Sequence, residues 1–117
     1  MARKGYKKYR AVKVNVDGIT FDSKREAERY LELKQMVKDG KIEGLRLQFP
    51  FELQPGFINS KGKKVRPIIY KADFVYTDVD GKRVVEDVKG METKDFKLKR
   101  KMFDYVYGQA FDFRLVK

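Results

Sequence analysis

The segment VVEDVKG, residues 84–90, sets Glu86, Asp87 and Lys89 inside a run of valines. Valines on both sides make it a strand, and an unpaired carboxylate buried in a strand carries a heavy desolvation cost. A second, mainly apolar strand, YKADFVY, carries Asp73 at its centre. Side chains alternate along a strand, so Asp87 and Lys89 share one face while Glu86 shares the other with Val84 and Val88. Two carboxylates facing each other about 4 Å apart repel by roughly 4 kcal/mol at an effective dielectric of about 20. Such a pair calls for a cation. One answer is a pair of salt bridges to the chain's many lysines. The other is a divalent metal clamped by Asp73 and Asp87, with the Val88 carbonyl and waters completing an oxygen-rich shell. Lys89 beside it can orient or help deprotonate a water, or neutralise charge in the transition state. That constellation suits phosphodiester hydrolysis by in-line attack.

The face that Asp73 joins depends on the turn between the two strands. A two-residue Asp80-Gly81 turn sets Asp73 opposite Val88, which strands Lys89 and promotes Glu86. A three-residue Val79-Asp80-Gly81 loop, with Gly81 left-handed in a bulge, sets Asp73 opposite Asp87. Asp78 at the turn start and Gly81 at its end favour the second, which is the expectation.

A further acid comes from a helix. DSKREAERYLELKQMVKDG has Ser23 as its cap and Gly40 as its terminator, about four turns apart. At about 100° per residue, Tyr30, Leu33 and Val37 fall within about 40° of Glu26, and Glu28 and Glu32 fall on the opposite side. Glu26 therefore points along the apolar face. It has two readings that exclude each other geometrically. Ser23-x-x-Glu26 is a capping box, whose Glu reaches back to the helix start; alternatively, Glu26 joins the strand acids at the cation.

The remaining elements must hold these groups in place. Val12 to Phe21 form a hairpin about Asp17-Gly18, and LRLQFPFEL alternates, placing Leu45, Leu47, Phe49, Phe51 and Leu53 on one face. Residues 54–66 form a loop or ragged hairpin tip. Ile68 to Thr77 and Arg83 to Lys89 are antiparallel strands, Thr93 caps a helix to about Tyr107, and Phe111 to Val116 form a closing strand. The order is αβββαβ behind an N-terminal β-hairpin. It predicts an α/β (α+β) fold with a mixed sheet flanked by two helices. Residues 1–10 read as a basic flexible arm and 11–117 as a single domain.

The chain's 117 residues suit one core. It has no Cys and no His, which excludes disulfides, zinc fingers, thiol catalysis, Ser-His-Asp triads and His-metal nucleases. Magnesium or manganese is the metal that an all-oxygen shell suits. Lys and Arg number 28 against 17 Asp and Glu, a net charge of +11, which favours nucleic acid as partner. No apolar run approaches the roughly 20 residues of a membrane span, so no membrane partner is expected and a cytoplasmic location is compatible. On the second helix Lys99 falls inside the apolar arc of Phe96, Met102, Phe103, Val106 and Tyr107, where it either snorkels or reaches a phosphate. Lys97 and Lys101, with Lys94 and Arg100, form a basic ridge outside that arc. Gln48, Arg66 near the lysines at 61, 63 and 64, and Lys7, Lys8 and Arg10 of the arm are further DNA-binding candidates. Each of these also reads as a solvated surface residue.

GITFDSKREAERYLEL, YKADFVY and VVEDVKG together resemble the PD-(D/E)XK nuclease superfamily, in a small phage-encoded branch of resolvase-like endonucleases, over roughly residues 18 to 108. The resemblance implies a restriction-endonuclease-like αβββαβ core, with Asp73, Asp87 and Lys89 as the catalytic set and Glu26 as a further metal-site carboxylate. It implies a metal-dependent DNA endonuclease, selective for branched DNA in the manner of a Holliday junction resolvase, acting as a homodimer in the host cell cytoplasm. Two departures stand out: Ala72 occupies the motif's proline position, and Asp87 rather than Glu precedes x-Lys, with Glu86 beside it. An RNase H-like fold also clusters carboxylates on strands, but does not call for a lysine two residues after an acid. The alternative from another class is a non-catalytic basic nucleic-acid-binding module.

Overall fold

A computed structural model describes residues 12–117 of the chain. The expected basic arm, with Lys7, Lys8 and Arg10, lies outside the described residues. Strands β1 (Val14–Val16) and β2 (Ile19–Phe21) form the first hairpin. Asp17 and Gly18 both adopt positive φ at its tip, the conformation that matches the twist of paired strands in a two-residue turn. Helix α1 (Lys24–Lys38) begins where the Ser23 hydroxyl accepts the Glu26 N–H at 3.1 Å.

Strand β3 (Ile42–Gln54) is longer than its sequence pattern suggested, and residues 54–66 contain a second small hairpin of β4 (Phe57–Ile58) and β5 (Lys64–Val65). Strands β6 (Ile68–Asp78) and β7 (Arg83–Val88), helix α2 (Lys94–Tyr107) and strand β8 (Asp112–Val116) complete the fold. The main sheet has the order β3-β6-β7-β8. Its pairs are antiparallel except β7 and β8, which are parallel because α2 carries the chain back across the sheet. This is the mixed α+β arrangement expected, with its two helices and N-terminal hairpin.

The helices cover opposite faces. Val84 lies in a core with Phe21, Leu33, Phe74 and Tyr76, against α1, whereas Val85 lies in a core with Phe51, Tyr70, Phe96 and Phe103, against α2. Adjacent strand residues point to opposite sides of a sheet, so two cores sandwich it.

The alternating residues of β3 do not share one face, contrary to expectation. Leu45 and Leu47 pack against the α1-side core, while Phe49, Phe51 and Leu53 belong to the α2 side. The change occurs at Gln48, whose φ of 50° is left-handed and rotates the strand in mid-course. Gln48 stands between the pairs Leu47–Phe74 and Phe49–Ala72, and thus beside Asp73 of β6. Asp73 marks the same changeover in its own strand: Phe74 and Tyr76 serve one core, Tyr70 and Ala72 the other.

Candidate active site

The β6–β7 turn sets the site. Gly81 is left-handed at φ 80°, its N–H bonds the Asp78 carbonyl at 3.0 Å, and the Asp78 carboxylate accepts the N–H groups of Asp80 and Lys82. The Asp78 N–H bonds the Lys82 carbonyl, which leaves a three-residue loop. The pairs Thr77–Arg83, Tyr76–Val84, Val75–Val85 and Phe74–Glu86 follow. This is the expected register, and the ladder ends at Phe74–Glu86, one residue short of Asp73 and Asp87. Asp73 Oδ2 accepts the Val88 N–H at 2.7 Å.

Asp87 is buried at 2% exposure. Its Oδ2 receives the Tyr70 hydroxyl, while its Oδ1 has no hydrogen-bond partner. The Lys89 ammonium stands 3.3 Å from that oxygen, close enough for charge attraction but outside hydrogen-bond geometry. The Lys89 N–H bonds the Val116 carbonyl of β8, and its ammonium lies 5.0 Å from the Phe96 ring centroid at the start of α2.

Glu26 points into the fold. Ser23 caps the Glu26 N–H, and the Glu26 carboxyl is buried on the wall of the cleft that Asp73 and Asp87 also line. Burial pushes Asp73 up to about 8, reinforced by the charge of Asp87 and opposed by the Val88 N–H. Burial likewise raises Glu26, with Asp73 opposing. Three acids gathered here and one lysine leave an unbalanced negative charge whenever all are ionised.

Glu86 does not compete. It is buried on the α1 side, held by Arg29 through bonds of 2.9 and 2.7 Å and by the Tyr76 hydroxyl. Its charge is already matched, and burial with that hydrogen bond pushes Tyr76 up to about 12.

The acids open on a cleft of about 710 Å³, whose walls include Lys89, Gln48 and Lys99. A family model described as a protein of unknown function, DUF1064, matches residues 6–116. The chain belongs to the DUF1064 family. No curated protein and no solved structure matches it.

In the DUF1064 cleft, Lys13, Tyr70 and Lys71 join the expected residues. Lys71 was legible in principle, since it lies two residues before Asp73 and so on the same face. Tyr70 was not, because strand parity sets it away from Asp73, and the change of face at Asp73 within β6 puts it on the α2 side, where its hydroxyl reaches Asp87. Lys99 lies 3.9 Å from Asp95 on the cleft wall. Lys97 and Lys101 are exposed on α2 away from the cleft, and Arg66 lies beside the β4–β5 hairpin. Among the described residues no group of three or more acidic side chains is placed to hold a metal ion. The donors that line the cleft are all oxygens, one of them buried without a hydrogen-bond partner and 3.3 Å from the Lys89 ammonium, and oxygens are what a hard cation that keeps several waters takes. Among the described residues no helix is long and apolar enough to cross a membrane.

Proposed function

We propose that this DUF1064 protein is a divalent-metal-dependent DNA endonuclease of the PD-(D/E)XK kind that its motifs resemble. One observation carries the reading: the buried Asp87 Oδ1 lacks a hydrogen-bond partner in a site shared with Asp73, Glu26 and Lys89. Burial of an unsatisfied carboxylate oxygen is costly, and a cation relieves it. A single lysine contact does not balance three acids, which weighs against a purely structural ion-pair cluster.

Asp73, Asp87, Glu26 and the Val88 carbonyl would hold magnesium or manganese. Such an ion supplies Lewis acidity and lowers the pKa of a bound water. The chain's own residues do the rest. Tyr70 and the Val88 N–H fix the orientations of Asp87 and Asp73. Lys89, one-third exposed toward the cleft, orients the attacking water and offsets charge on the phosphorane-like transition state. Lys99, Lys71 and Gln48 receive the phosphate backbone along the cleft walls. Arg66, Lys97 and Lys101 add contacts beyond it, and the net charge of +11 draws the polyanion in. Branched-DNA selectivity, a homodimer with two active sites and a cytoplasmic location belong to the same reading.

The test uses supercoiled plasmid and synthetic four-way junctions, incubated with magnesium, manganese or chelator. Metal-dependent cutting that disappears in Asp73→Ala and Asp87→Ala supports the nuclease. Tight binding with no cutting under either metal decides for the non-catalytic basic module.

A further inference from the structure

The β4–β5 hairpin buries little of its own apolar surface. Phe57 is 48% and Ile58 60% exposed. The hairpin is nevertheless firmly built. The Asn59 N–H bonds the Lys63 carbonyl at 2.9 Å, and the Asn59 carboxamide oxygen accepts the N–H groups of Lys61 and Lys63. Gly62 turns the tip at φ 77°. At its base, a Cβ on Gly56 would stand 3.0 Å from the Val65 carbonyl oxygen, so the strands close over a glycine. Phe57 pairs with Val65 and Ile58 with Lys64, and together with Pro67 they line a shallow groove of about 400 Å³. Between Leu53 and Ala72 the sequence holds Lys61, Lys63, Lys64, Arg66 and Lys71 and no acid. Among the described residues none of these five pairs with a carboxylate, whereas many other cations of the chain do.

We propose that this hairpin is a wedge for unstacked or unpaired bases in DNA, recognising an interruption of the duplex rather than its sequence. Two exposed apolar side chains on a stiff hairpin, with unpaired cations on its tip and returning strand, match the chemistry of a base step opened by insertion: apolar or aromatic contact to the bases, ammonium groups to the flanking phosphates. The position suits the same DNA that enters the acidic cleft. The hairpin leads directly into β6, and Ile68 and Asp73 are roughly 17 Å apart along that strand. Ile69 and Lys71, between them, line the cleft. Half a turn of duplex, about 17 Å, spans the interval. The proposal rests on the nucleic-acid part of the proposed function and not on its chemistry.

Binding of the full chain is measured in chelator, so that cutting does not enter, on a linear duplex and on the same duplex interrupted by an unpaired bubble. Stacking on one or two bases gives an expected preference of about tenfold for the interrupted duplex. Phe57→Ala with Ile58→Ala brings the two affinities to within about twofold of each other with linear binding retained, and Phe57→Tyr restores the preference. Lys63→Ala with Lys64→Ala weakens both substrates alike and lowers the salt slope. Equal binding of both substrates by the native chain overturns the wedge. So does a preference that survives the apolar double substitution, or a double substitution that abolishes dimerisation or binding to anionic vesicles without changing DNA discrimination. Loss of plasmid cutting with the preference intact counts against the nuclease alone; the reverse counts against the wedge alone.

Discussion

The Asp73 carboxylate is held at 2.7 Å by the backbone N–H of Val88, the peptide that stands between Asp87 and Lys89 on the neighbouring strand. One hydrogen bond thus locks both acids and the lysine into a single register. It also opposes the burial and the Asp87 charge that push Asp73 up to about 8. The site is an electrostatic compromise.

Relieving that compromise is expected to stabilise the fold while destroying the chemistry. Asp87→Asn keeps an acceptor for the Tyr70 hydroxyl and removes one negative charge beside Asp73. In chelator at alkaline pH its melting temperature should rise by several degrees, about 4–8 °C for each kcal/mol gained in a domain of this size. Metal-dependent cleavage should fall below detection. Calorimetry and a plasmid assay on one preparation check both; a lowered melting temperature would contradict the repulsion.

Stability in chelator should fall as pH rises. A group whose pKa is raised by folding stabilises the fold fully below its unfolded value and loses that contribution as pH climbs through the folded value. For Asp73 the window runs from its ordinary 3.8 to about 8, and Glu26 is raised in the same direction. Magnesium should reverse the trend, since ligand carboxyls must be ionised and binding releases protons. Thermal shifts on adding magnesium should therefore be larger at pH 8 than at pH 6, and titration calorimetry in buffers of different ionisation enthalpy should register the protons.

Glu86 is expected to behave as a structural group. Arg29→Met leaves its carboxylate buried and unpaired, at a cost of about 3–5 kcal/mol in urea unfolding. Replacing both partners, Arg29→Met with Glu86→Gln, should recover most of that loss. Glu26→Gln should do the opposite, retaining the fold while weakening magnesium-induced stabilisation.

If the proposed mechanism holds, Lys89→Met should lower the single-turnover cleavage rate by about 10²-fold or more with magnesium binding largely retained, because there the ammonium acts on the reacting water and phosphate. Equal losses in rate and metal affinity would instead make Lys89 a support for Asp87.

Turn chemistry is local, so Asp78 and Gly81 dictated in the sequence that Asp73 and Asp87 lie side by side with Lys89 following. Helical periodicity likewise put Glu26 on the buried face of α1, and the spacing of the patterned segments determined the αβββαβ order. Partnership was a different matter. Whether Glu86 or Asp87 faced the cleft depended on Arg29, Tyr70 and Tyr76, which approach from other elements. The left-handed Gln48 that divides β3 between two cores has no signature in an unbroken alternation of apolar residues. Periodicity fixes a side chain's direction relative to its own element, whereas burial and charge balance sum over neighbours distant in the chain, and only the packed tertiary structure brings those neighbours together.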